Sequence, residues 1–134
     1  MAAETLVEEI RRVVSRLQAQ GEMALAMLLA TSSEPGAPWN FLVSAEWMDN
    51  RTTKEVVDLL TKLIREEVAR KNWSSILRAT VLRTGDPFVQ AINRGFSVEK
   101  GTLSIQDCNI FGIEIPRAII LESQHPKSLS PAAR

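Results

Sequence analysis

With 134 residues, 45% hydrophobic and 24% charged, the chain has the length and balance of one folded domain, which excludes a disordered polymer. Sixteen basic and sixteen acidic side chains cancel, so the cationic field that gathers nucleic acid is missing, and no apolar run is long enough to span a bilayer. The start of the chain lacks the basic region of an export signal, and the single Cys108 can form no internal disulfide, so the expected location is the cytoplasm.

The cancellation hides an asymmetry. Residues 1–67 hold seven basic against eleven acidic side chains, and residues 68–134 hold nine against five. Halves of opposite sign are expected to attract one another weakly.

Residues 5–20 read as an amphipathic helix. Leu6, Ile10, Val13, Val14 and Leu17 form its stripe, Thr5 and Glu8 a capping box, and Gly21 its stop. Residues 23–31 combine helix-favouring Ala, Leu and Met with the short length of a buried strand, and strand is the expectation. The Pro- and Gly-bearing stretch 32–38 can close a hairpin onto residues 39–48. There Phe41, Val43, Ala45 and Trp47 alternate with Leu42, Ser44, Glu46 and Met48, as in a strand with two unlike faces.

The clearest element is 52–72. Val56, Leu59, Leu60, Leu63, Ile64 and Val68 recur at helical steps, Thr52 and Glu55 make a capping box, and Asn72 suits the left-handed stop. Residues 76–83 read as a strand. Asp86 and Pro87 then open a short helix over 88–94 that stops at Gly95. The last third reads as short strands at 102–105, 109–115 and 117–121, punctuated by Gly101, Gly112 and Pro116.

The expected architecture is an α+β domain over 1–122. Two long amphipathic helices and one short helix pack on one face of a mostly antiparallel sheet of about five strands, and a flexible tail occupies 123–134.

The residue inventory argues against several chemistries. The one histidine, His125, falls in the expected tail, where no general base is held to the 2.6–3.2 Å or so that proton transfer needs. One Cys and one His cannot supply a zinc site, and the scattered glycines form no phosphate loop, so neither metal nor cofactor is expected. Asp107 beside Cys108 works against a reactive thiolate.

Two constellations stand out. Ser44 and Glu46 on one strand, with Arg78 and Thr80 on another, converge if the strands are neighbours, making a polar row able to grip a carboxylate or amide. Leu42, Met48, Ile76 and Leu82 flank that row, and such a mixed face suits a dimer interface. Trp39, after a proline, and Trp73, after a helix end, are candidate partner or ligand contacts at its rim.

The resulting expectation is a small cytoplasmic binding or interaction module, homodimeric, with a small molecule or a protein as its ligand and with no nucleic-acid or membrane partner. The alternative is a carboxylate-dependent enzyme, Mg-assisted or not, with Glu46 and Arg78 in a polar pocket on the sheet. Glu46, Asp49, Asp86, Asp107 and Glu114 are its candidate acids, and nothing in their spacing selects a pair.

Overall fold

The computed structural model describes residues 2–98, 101–110 and 112–124, with side chains from Leu6 onward. It is an α+β fold built on a five-stranded mixed sheet of order β3-β2-β1-β5-β4. The last ten residues of the expected tail, His125 included, lie outside the described residues.

Helix α1 spans Ala2–Gln18. It begins earlier than its sequence signal, so Thr5 lies within the helical backbone and not at its cap. Strand β1 (Leu25–Ala30) turns through the Pro-Gly loop into β2 (Trp39–Ser44), and the two pair antiparallel from Leu25↔Ser44 to Ala30↔Trp39. The chain then leaves the sheet. Residues Glu46–Asp49 form a single helical turn, α2, so Glu46, Trp47 and Met48 are not strand residues.

Helix α3 (Thr53–Glu67) starts at the expected capping box. Thr52 Oγ1 accepts from the Glu55 amide at 3.1 Å, and Glu55 Oε1 accepts from the Thr52 amide at 3.0 Å. Both donors belong to the unsatisfied first turn, so Thr52→Ala is expected to cost about 1 kcal/mol. Urea unfolding checks this: the midpoint should fall while the slope is unchanged.

The helix ends at Val68, before the expected stop. Asn72 instead sits in a 3-10 turn over Arg70–Ser75, where it is buried and its Nδ2 donates to Glu9 Oε1 at 2.9 Å. Asn72 is therefore held by a distant side chain and is not a helix stop.

Strand β3 (Ile76–Val81) lies parallel to β2, as a strand–helix–strand crossover requires, while the other three pairings are antiparallel. Helix α4 (Pro87–Gly95) follows the Asp86 cap, whose carboxylate accepts from the Phe88 amide at 2.8 Å. The short segments expected in the last third are two long strands, β4 (Leu103–Ile110) and β5 (Ile113–Ser123), paired as a hairpin. Ser123, assigned from the sequence to the tail, ends β5 and is fully buried.

Helices lie on both faces of the sheet. On one side α1 and α3 bury Ile10, Leu17, Leu60 and Leu63 against Ala26, Leu28, Phe41 and Val43. On the other, α4 sets Phe88, Val89 and Ile92 against Leu25, Met27, Leu42 and Ile120. Alternation along β1 and β2 feeds the two cores in turn, which is why β1 reads as an almost unbroken apolar run. Burying each such Leu, Ile or Phe stabilises the fold by roughly 1.5–3 kcal/mol.

Every ion pair recorded among the described residues joins partners within the first 67 positions: Arg12–Glu67, Arg16–Glu66, Arg16–Glu67 and Lys54–Asp58.

Candidate functional site

Register decides which of the candidate residues meet. Asn40 is opposite Arg78 and Leu42 opposite Thr80 in the parallel β2–β3 pair, so Asn40, Leu42 and Ser44 share a face with Arg78 and Thr80. That face is the one α4 packs on. Ser44 lies at the far end of β2, four residues or roughly 13 Å of strand beyond Asn40, and it is fully buried opposite Leu25. The polar row is therefore split: Arg78 is exposed at one end, and Ser44 is enclosed at the other. Glu46, exposed on α2, is not part of it.

The apolar residues that flank the row in sequence do not form one surface. Leu42, 7% exposed, and Leu82 pack with the α4 core, whereas Met48, 2% exposed, and Ile76 pack with the α1–α3 core. They pack within the subunit, on opposite sides of the sheet: the chain turns into α2 after Ala45, which redirects Met48, and the register shift between Ile76 and Arg78 turns Ile76 to the other face from Leu82.

Two of the candidate acids have structural partners. Asp49 accepts from the Thr84 hydroxyl at 2.5 Å and from the Thr84 amide at 3.2 Å, tying α2 to the loop before α4. Asp86 caps α4. Asp107 and Glu114 line a shallow cavity of about 490 Å³ beside Cys108 at the outer half of the β4–β5 hairpin. Among the described residues no three of His, Cys, Asp and Glu are gathered closely enough to hold a metal ion.

Each tryptophan carries an arginine over its ring: Arg117 over Trp39 at 5.0 Å, Arg51 over Trp47 at 5.1 Å and Arg70 over Trp73 at 5.8 Å. Trp39 is not a loop residue. It opens β2 and is 6% exposed. Trp73 is 37% exposed in the 3-10 turn, with its indole N–H held by the Val68 carbonyl at 2.9 Å.

The residue the sequence did not single out is Leu77, 58% exposed. Trp39 faces Ile76 and Asn40 faces Arg78, so Leu77 is the extra residue of a bulge, the device by which an edge strand re-aims a side chain. Sheet order makes β3 an outer strand. Trp73 and Leu77 thus lie four positions apart in a segment, 70–78, that carries Arg70, Lys71 and Arg78 and no carboxylate. Among the described residues none of these cations has an ion-pair partner. Only the interrupted alternation at Ile76-Leu77-Arg78 could have pointed to this patch.

No helix among the described residues is long and apolar enough to cross a membrane. Comparison of the chain with protein-family models, with curated proteins and with solved structures finds no match.

Proposed function

We propose that the protein is a binding module that docks an apolar side chain of a partner protein, flanked by acidic residues, on the Trp73–Leu77 patch. The observation that carries this reading is the exposure of Leu77 four positions after the exposed Trp73. An apolar pair kept out of both cores, in a segment with three cations that have no ion-pair partner among the described residues, has the make-up of a contact centre with a charged rim. The bulge that turns Leu77 outward also disrupts the edge for simple strand addition, so the contact is one of side chains.

Self-association suits this patch poorly, because a two-fold contact would bring Arg70, Lys71 and Arg78 against their own copies. A homodimer would have to use another surface, since Leu42 and Met48 are occupied within the subunit. The carboxylate enzyme loses its pairing of Glu46 with Arg78, because Arg78 faces Asn40 near the start of β2 and Glu46 lies past its end, in α2. We place the module in the cytoplasm, where a half-buried, unpaired Cys108 is ordinary.

Panning a displayed library of linear peptides on the protein tests the proposal. Enriched peptides should carry an aliphatic or aromatic residue next to Asp or Glu and should bind less tightly in salt. They should lose at least about tenfold in affinity on Leu77→Asp. Leu77 is exposed, so that substitution is expected to change stability by no more than about 0.5 kcal/mol. Peptides that bind the variant as well as the parent would remove the patch from consideration.

A further inference from the structure

On the α1 side of the sheet, behind the first residues of β3, lies a cavity of about 380 Å³ whose walls include neither Trp73 nor Leu77. Leu6 of α1, Ala37 of the β1–β2 loop, Trp39 and Ile119 give it apolar walls, Ser75 adds a hydroxyl, and Arg117 is the one charged group that lines it among the described residues. We propose that this cavity binds a small organic anion, a carboxylate on an apolar body, with Arg117 as the carboxylate receptor.

The size falls within the range of small-molecule sites, as does the pattern of apolar walls with few polar groups. Arg117 is half-buried and, among the described residues, makes neither an ion pair nor a hydrogen bond; its recorded contact is the face of Trp39 at 5.0 Å. A cation–π contact with a ring face leaves the guanidinium N–H groups without hydrogen-bond partners. Those donors stand beside an apolar wall, where a carboxylate can accept two of them at once. A half-buried cation beside apolar walls attracts an anion more strongly than one in open solvent. The side chain beneath it is itself immobile: Trp39 is 6% exposed and joined to both cross-strand neighbours, Ala30 and Ile76. A neutral ligand of the same shape gains only the wall contacts. The proposal stands apart from the protein-docking patch.

Nuclear magnetic resonance titration with sodium benzoate and sodium hexanoate, and with neutral benzamide as the comparison, tests it. Either carboxylate should shift the Trp39 indole N–H and the Arg117 Nε–H saturably, with benzamide at least about tenfold weaker. Arg117→Gln should weaken carboxylate binding by about tenfold, and Arg117→Lys, which keeps the charge and loses the fork, by less. Absence of a saturable shift at about 20 mM of either carboxylate would overturn the proposal. So would benzamide binding as tightly, or binding unaltered in Arg117→Gln. If the spectrum of Arg117→Gln shows a disturbed fold, the benzamide comparison and Arg117→Lys decide.

Discussion

Replacing Glu9 with alanine is expected to remove about 3 kcal/mol of stability and to lower the thermal midpoint by roughly 10 °C. Glu9 lies on the inner side of α1 and is 6% exposed. Its two carboxylate oxygens take different donors: Oε1 accepts from Asn72 Nδ2 at 2.9 Å, and Oε2 accepts from the Ala69 amide at 3.1 Å. Both donors belong to the segment that leaves α3, so one side chain holds the end of one helix against the body of another. Alanine would leave the half-buried Ala69 amide and the buried Asn72 side chain without their acceptors, and each such orphan costs about 1–3 kcal/mol when enclosed. Glu9→Gln keeps the length but offers one acceptor oxygen, and should lose about half as much. Asn72→Ala removes a donor and leaves the Ala69 contact, so the two single losses should not sum in the double variant. Chemical unfolding of the four proteins measures this. A Glu9→Ala protein within about 0.5 kcal/mol of the parent would show that these contacts add nothing to stability.

The second large effect is expected at Gly21, where alanine should cost about 2 kcal/mol. A Cβ added there would stand 2.6 Å from Cδ1 and 3.2 Å from Cγ of Trp47. These atoms are near the stem of a stiff ring, so they cannot swing aside as a long flexible side chain would. Trp47 is also held from the other side, packed against the α1–α3 core with Arg51 over its face. Gly95→Ala is the control, because a Cβ at that position meets nothing within 4 Å. Loss of stability in the first and none in the second, by calorimetry, is the expected pair of results. Equal effects would mean that helix-end propensity, and not the approach of Trp47, decides.

Gly21 also shows what the sequence could and could not say. A glycine after an amphipathic stripe reads as a helix stop, and α1 does end just before it, but its close neighbour is an indole 26 positions away. Signals that act within one turn were legible: the Thr52–Glu55 box and the Asp86–Pro87 helix start are where their residue types place them. Signals that depend on a distant partner were not. Alternation in 39–48 continued past Ser44 because Ala45, Trp47 and Met48 are apolar for a different reason, as contacts of a single helical turn. Pro116 read as a strand break, yet it lies inside β5. It is tolerated because β1 pairs with β5 only from Ala118 onward, so no strand on that side needs the N–H that proline lacks.

The candidate site divides in the same way. That Arg78 and Thr80 share a face with Ser44 follows from alternation and was readable. That Glu46 leaves the face and that Leu42 and Met48 enter opposite cores depend on the turn into α2 after Ala45, and that Leu77 is pushed outward depends on the shifted parallel β2–β3 register. Nothing in a period of two announces that register. Arg117 was invisible for the same reason, since its neighbour Trp39 is brought to it by the order of the sheet.

The β4–β5 hairpin is longer than the sheet it belongs to. Residues 118–120 of β5 pair with both β1 and β4, and Ser123 pairs with β1 and bridges to Val98, whereas 113–117 have β4 alone. Backbone amides of the inner stretch can therefore meet deuterated solvent only when several strands part together, a global event. Those of the outer stretch need only the local parting of one ribbon. Amide exchange in β5 should change steeply near Ala118, so that a single continuous strand spans two regimes of protection.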